Sequence, residues 1–304
     1  MAAMTDRSAA GVNGAGVSRA GVTAQRAKEA LRTSDLSQRH VAASIGIDET
    51  KLSKSLSGRR RFGTEELLAL ATATGVTVRW LLGDESQVSA TPLRFQRGTD
   101  RSPGPSLDSS PRRLIVETAW DLFARHGYET VRIADIADAA GISNASIHYY
   151  FDGKSDLFDA TLDYSVKLAF DRQIAWLDEI PNPHRRLERL LELQSPIGRT
   201  SRSEWSIWLQ TWARLGLEDA HTSDYPAHYE RWSHTVRSTI EAGQSAGLFR
   251  PGDSEAMADE LTSLLDGLGV KVLTGIMDVA TFRRRLSSYF KRAIVNTNPD
   301  EESS

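Results

Sequence analysis

The stretch Ile133-Ala134-Asp135-Ile136-Ala137-Asp138-Ala139-Ala140-Gly141-Ile142-Ser143-Asn144-Ala145-Ser146-Ile147-His148-Tyr149-Tyr150-Phe151 decides the fold class. Ile133, Ile136, Ala137 and Ala140 fall on one side of a short helix. Gly141 then supplies a tight turn, and Ser143 stands where a hydroxyl caps the helix that follows. Two short helices joined by a glycine turn make a helix-turn-helix, whose second helix enters the major groove of DNA. That second helix, residues 144–151, is polar on one side. Asn144, Ser146 and His148 suit base edges, and Tyr149 suits a phosphate. Lys154 opens the next helix, where the ammonium and the positive helix end both favour a phosphate. Upstream, Ile115, Ala119 and Leu122, with Phe123 beside them, give one buried helical face that ends at Gly127-Tyr128.

Between Arg112 and Phe158 the chain resembles the TetR family of regulators. The resemblance rests on the run from Ile136 to Ser143, on Ile147-His148-Tyr149-Tyr150-Phe151, and on Lys154 with Leu157-Phe158. It implies that Arg132, Ser143, Asn144, Ala145, Ser146, His148, Tyr149 and Lys154 form the DNA-facing set. Three positions depart from the family pattern. Arg132 stands where a Ser or Thr cap is common and offers a phosphate contact instead. Ala145 replaces a common Gly, and His148 a common Tyr.

A second version of the same pattern lies nearer the amino terminus. Ser37 caps a helix carrying Val41, Ala42 and Ile45; Gly46 turns the chain; Asp48 caps a helix anchored by Leu52 and Leu56. Ser57-Gly58 ends that helix, and Arg59, Arg60 and Arg61 follow. Leu67, Leu68 and Ala71 lie on a closing helix, and Trp80-Leu81-Leu82 seals the unit. The segment is similar to the XRE (Cro and lambda-repressor type) helix-turn-helix. That likeness implies that Gln38 touches backbone and that Glu49, Thr50, Lys51 and Lys54 face the groove. Glu49 has two readings, an acceptor for cytosine or a solvated first-turn acid favoured by the helix dipole. The arginine run reads as a phosphate clamp, with a solvated loop as the alternative.

The whole chain has 304 residues and a formal net charge of −3, which argues against nucleic acid only until the charge is located. Residues 22–83 carry ten basic against six acidic side chains, so the amino-terminal part is locally basic. Cysteine is absent, which excludes disulfides, thiolate metal sites and cysteine nucleophiles. No apolar run approaches the ~20 residues that cross a bilayer, and no secretory signal is evident. A cytoplasmic, nucleoid-associated protein without membrane contact is expected. No strand-like alternation of useful length occurs, and the expected class is all-α.

The expected organisation is a disordered start (1–21), the XRE-like head (22–83), a flexible linker (84–110), the TetR-like head (111–158), a helical dimerisation and effector-binding body (159–298) and a disordered tail (299–304). A linker of that length spans roughly 30 Å, close to one DNA turn of ~34 Å, which lets the two heads reach neighbouring groove faces of one site.

In the body, Trp205, Trp208 and Trp212 are spaced i, i+3, i+7 and share a helix face, which Trp176, Tyr229 and Trp232 are placed to join. Such a cluster makes either an aromatic pocket, with cation–π chemistry for a quaternary ammonium, or simply a packed core. With Trp205-Ser206-Ile207-Trp208-Leu209 and Gly243-Gln244-Ser245-Ala246-Gly247, the body looks like the BetI-like branch of the TetR family, whose founding effector is choline. By the same resemblance two stripes, Met257, Leu261, Leu264, Leu265 and Leu268, then Phe282, Leu286, Tyr289, Phe290 and Ile294, pair with their copies in a homodimer.

The function expected is a dimeric repressor that holds double-stranded operator DNA and is released by a small-molecule effector. The rivals are a protein-interaction scaffold with degenerate heads and, further off, an enzyme. No phosphate loop with its Lys and no HExxH is present, and the seven histidines lack metal-ligand spacing. No catalytic residue, metal or cofactor is expected.

Overall fold

The computed structural model describes residues 19–34, 36–83, 111–217 and 225–297. The expected linker lies outside the described residues, as do most of the expected disordered start and the tail. Fourteen α-helices account for the described fold, and a single isolated antiparallel bridge joins Phe249 to Val295. The amino-terminal unit holds α1 (Arg19–Thr33), α2 (Gln38–Ser44), α3 (Glu49–Leu56), α4 (Thr64–Thr74) and α5 (Val78–Leu81). The second unit begins with α6 (Pro111–His126), α7 (Ile133–Ala140) and α8 (Asn144–Tyr150). The long α9 (Lys154–Leu177) leads into α10 (Pro183–Gln194), α11 (Arg199–Leu215), α12 (Tyr225–Ser245), α13 (Ser254–Leu273) and α14 (Val279–Tyr289). A π turn, Phe290–Ile294, closes the chain's last helix.

Local chemistry explains the starts of α2, α3, α7 and α8. Ser37 Oγ accepts from His40 N–H at 3.2 Å, and Asp48 Oδ1 from Lys51 N–H at 2.7 Å. In the second unit Ser143 Oγ accepts from Ser146 N–H at 3.1 Å. The start of α7 is capped in reverse, because Arg132 offers no side-chain acceptor. Its own N–H donates to Asp135 Oδ2 at 2.7 Å. Gly141 adopts φ 67°, ψ 32°, a left-handed conformation that an L side chain enters at a cost of roughly 1–2 kcal/mol. A Cβ there would meet nothing within 4 Å. The glycine is therefore required by the backbone and not by crowding.

Each unit has its own core. Around α6–α8, Ile115, Ala119, Phe123, Ile136, Ile147, Leu157 and Phe158 are buried together. Around α1–α5, Ala27, Ala30, Val41, Leu52, Leu70, Ala71 and Leu81 do the same. This second core is completed from outside the unit, by Ala175 and Ile174 of α9.

Three expectations are revised. Residues 19–21 belong to α1, where the sequence suggested a disordered start, and Arg19 pairs with Asp178 at 2.6 Å. The amino-terminal unit, for which the sequence suggested no partner elsewhere in the chain, rests on α9. Val78 N–H donates to Asp171 Oδ1 at 2.8 Å, and Arg113 Nη1 to Ala73 O at 3.2 Å. Finally, Leu261, Leu265, Leu268, Phe282, Leu286, Phe290 and Ile294 are spent inside this chain's own core, against α10 and α12. The stripes expected to pair with a second copy thus hold one protomer together, and the outer sides of α13 and α14 remain exposed at Ser263, Gly267, Lys271 and Arg283.

Candidate DNA interface and effector cavity

The DNA-facing candidates are positioned by what α8 buries. Ile147 and Phe151 sit in the core, so the opposite side of this seven-residue helix must face out. Asn144, Ala145, His148 and Tyr149 are exposed, Tyr149 at 82%. Ser146 is half-buried and Ser143 is occupied as the cap, its hydroxyl also 2.9 Å from that of Ser146. Tyr149 meets Tyr150 edge-on, with centroids 4.9 Å apart. Arg132 lies exposed at the start of α7.

Lys154 has a structural partner that the sequence did not suggest. Its Nζ donates to Tyr128 O at 2.9 Å and lies 4.2 Å from the Tyr128 ring centroid. The ammonium thereby ties the start of α9 to the turn after α6, and its surplus positive charge adds to that of the helix end.

In the amino-terminal unit Gln38, Glu49, Thr50, Lys51 and Lys54 are all exposed on α2 and α3. Glu49 lies 3.7 Å from Arg39 and Lys51 lies 3.6 Å from Asp48, both as solvent-facing pairs. The three arginines are not equivalent. Arg59 and Arg61 are exposed, whereas Arg60 donates to both oxygens of Glu66 at 2.6 Å and to Ser55 Oγ at 2.9 Å. Glu66 Oε2 in turn accepts from Gly63 N–H at 2.9 Å, capping α4. The Arg60 guanidinium holds the Glu66 carboxyl below the usual carboxylate range. Arg60 therefore welds the α3–α4 loop, and the expected clamp narrows to Arg59 and Arg61.

The aromatic cluster encloses a cavity between α9, α11, α12 and α13. Trp205, Trp208, Trp212, Tyr229 and Trp232 line it, with Phe170 and Gln173 of α9, His228 of α12 and Asp266 of α13. The atom-free space within these walls, the open mouth and its solvent included, is about 630 Å³. The indoles serve both of the roles left open by the sequence. Trp205 is core-buried and donates from Nε1 to Gln194 O at 2.7 Å, yet its ring also faces the cavity. Trp212 donates to Tyr225 Oη at 2.7 Å and meets Trp205 edge-on at 6.3 Å. Trp176 is a correction. It sits one helical turn beyond Gln173, where α10 packs, and Arg189 covers its ring at 4.3 Å, outside the cavity lining.

The cavity's charges were not foreseen. Glu204 is neutralised by Arg172 through a fork of 2.8 and 2.6 Å. His228, buried to 4% exposure, holds Asp163 of α9 at 2.8 Å. Asp266 has only the Tyr229 hydroxyl, at 3.3 Å, and no cationic partner among the described residues. Burial pushes its carboxyl up to about 6, with the Tyr229 hydrogen bond partly opposing the shift. At neutral pH it is mostly ionised, and rings plus an unpaired carboxylate make a site suited to an organic cation. Asp266, His228, Phe170 and Gln173 carry no sequence motif, because each is one polar or aromatic residue on an otherwise ordinary helix.

The cavity is mechanically joined to the DNA head. On α11, the helix of the three tryptophans, Gln210 accepts from Tyr128 N–H at 2.6 Å and donates to Phe123 O at 3.0 Å. Ser206 donates to Ala124 O at 2.9 Å. These bonds satisfy the carboxy-terminal end of α6. The head is thus braced from the body by α11 and carried on α9.

Residues 115–161 match the bacterial regulatory proteins of the tetR family, and residues 183–295 match the carboxy-terminal part of BetI-type transcriptional repressors. No family match covers residues 1–110. A Saccharomonospora viridis protein described as a transcriptional regulator, solved in complex with choline, is 46% identical. That likeness covers 61% of this chain and 97% of the relative, with a TM-score of 0.58. The BetI regulator of Rhizobium meliloti is 22% identical over 169 residues, 56% of this chain and 81% of the relative. The BetI regulator of Agrobacterium fabrum is 24% identical over 169 residues, 55% of this chain and 80% of the relative.

Proposed function

The chain belongs to the TetR family of bacterial regulatory proteins, as a transcription regulator and not an enzyme, and we propose that it is a dimeric repressor whose hold on operator DNA is released by a quaternary ammonium of the choline type. The observation that carries this reading is the cavity itself: aromatic walls and one unpaired carboxylate, built partly from the helix that bears the DNA head. A trimethylammonium group has no hydrogen to donate, so it is held by ring faces and an anion, and a cation–π contact contributes about 0.5–2 kcal/mol depending on desolvation. The Saccharomonospora viridis relative, which holds choline, supports the same class of ligand.

In this reading Arg132, Asn144, Ala145, Ser146, His148 and Tyr149 meet the duplex, while Ser143 shapes the helix that does so. Lys154 lies where α9 meets the backbone. From Lys154 to Phe170 is sixteen residues, about 24 Å of helix at 1.5 Å per residue. A tilt of about 5° at the cavity therefore displaces the head by about 2 Å, enough to mis-space two recognition helices on one duplex. The effector acts only in so far as it binds the released state more tightly than the DNA-held one. Dimerisation uses the outer sides of α13 and α14, and the protein works in the cytoplasm, beside the nucleoid.

The amino-terminal unit is read as an XRE-type head, residues 22–83, adding a second DNA contact through Lys51, Lys54, Arg59 and Arg61. A second reading of this unit, as a protein-contact module, is favoured by the commitment of Arg60 to Glu66 and by the docking on α9. Selection of duplexes from a random pool with the full chain tests the first reading. A sequence whose binding is weakened by Lys54→Ala, in addition to one weakened by Tyr149→Ala, supports two reading heads. Indifference to Lys54→Ala on every selected duplex supports the contact module. Calorimetry with choline tests the ligand, and absence of binding at millimolar choline refutes it.

A further inference from the structure

Helix α9 has two working sides. Val166, Ala169, Phe170 and Gln173 line the aromatic cavity. Asp171, Ile174, Ala175 and Asp178, offset by about one residue, receive the amino-terminal unit, and Lys167 holds Asp171 in place. The second stripe is built as an interface and not as a casual contact. Asp171 is 4% exposed, a position where a carboxylate costs free energy unless fully paired. One of its oxygens accepts from Val78 N–H, the first amide of α5, at 2.8 Å, and the other is held by Lys167 Nζ at 2.6 Å. The amino-terminal end of α5 is thus completed by a residue 93 positions away in the chain. Ala175 enters the amino-terminal core, and Arg19 reaches Asp178 at 2.6 Å.

We propose that the amino-terminal unit is docked on α9 as part of the effector response: one placement of α9 both walls the cavity and docks the unit, so filling the cavity tightens the docking. The inference rests on the choline reading of the cavity. Phe170 and Gln173 flank Asp171 within one turn, so α9 cannot move its cavity side without moving its docking side. Coupling through a shared element is reciprocal. Effector should therefore protect the docked amides, and loss of docking should weaken effector binding by the same factor, about 5-fold or more in the usual range of such couplings. The amino-terminal unit would then change position on the DNA in step with the TetR-like heads, where a free tether would leave it unaffected.

Hydrogen exchange of the full chain, with and without saturating choline, tests this, with calorimetry as the control for binding. The expected result is slower exchange in peptides spanning 76–82. Asp178→Arg, an exposed substitution that repels Arg19, should raise the choline Kd and cancel the protection. Lys167→Met with Asp171→Leu, which removes the buried pair together, should do the same more strongly. Choline binding with unchanged or faster exchange at 76–82, or an unchanged Kd in both variants, overturns the coupling while leaving the cavity reading intact. No choline binding by the unaltered chain overturns the cavity reading and this inference with it.

Discussion

Replacing Gly269 with alanine sets two effects of opposite sign against each other. Gly269 lies in the interior of α13, where alanine is intrinsically better than glycine by about 0.5–1 kcal/mol. A Cβ at this position, however, would lie 2.2 Å from Trp205 Cη2 and 2.6 Å from Cζ3. Carbon atoms pack at about 3.5–4.0 Å, so the indole must retreat by more than an ångström. It is tied at the far edge by its hydrogen bond to Gln194 O, and the open space beside it is the cavity. Overpacking of this kind costs about 1–3 kcal/mol, which exceeds the helical gain. Gly269→Ala should therefore lower stability by about 1–2 kcal/mol, read as a reduced urea midpoint at constant slope. The displaced ring should also weaken choline binding by about 10-fold or more, since about 1.4 kcal/mol of lost contact suffices. A variant that is more stable than the parent, with unchanged choline affinity, would show that the Trp205 ring does not lie over Gly269.

Three further outcomes separate the roles assigned to individual side chains. Because an organic cation favours ionised Asp266, whose free-pocket carboxyl titrates at about 6, choline affinity should be flat above about pH 7 and fall by up to about 10-fold per unit below about pH 6; calorimetry across that range should show the fall abolished in Asp266→Asn. Tyr149→Ala should leave stability within about 0.5 kcal/mol while weakening duplex binding, because the ring is exposed; circular dichroism and fluorescence anisotropy together check both halves. Arg59→Ala should reduce the salt dependence of duplex binding by about one unit in slope, whereas Arg60→Ala should leave the slope unchanged and loosen the start of α4, seen as faster amide exchange there.

What the sequence disclosed was set by local rules. Gly141 and Ser143 announce a turn and a cap through their own backbone chemistry, so the helix-turn-helix of α7 and α8 was legible at residue level. The three tryptophans were legible as one face because helical spacing is one-dimensional. Partnerships across the fold were not. Arg60 and Lys154 read as free cations, since nothing local reveals that Glu66 or the Tyr128 carbonyl awaits them. Trp176 read as a cavity wall because it is aromatic, and nothing local shows that Arg189 of α10 covers its ring. The α13 and α14 stripes read as an intermolecular seam because an apolar face does not say whose core it fills. Docking of the amino-terminal unit was hidden for a similar reason: the composition of residues 84–110 suggested a flexible tether, while the contact is made by Asp171, deep in another helix. Gly269 is the plainest case, an unremarked helical glycine whose missing side chain makes room for an indole.

The most direct measurement is the anisotropy of a labelled duplex, chosen by the full chain from a random pool, as choline is titrated into the complex. The account predicts release over the same choline range in which calorimetry detects binding, and no release from the complex of a Trp208→Ala, Asp266→Asn double variant. Choline that saturates the cavity yet leaves the duplex bound would contradict it.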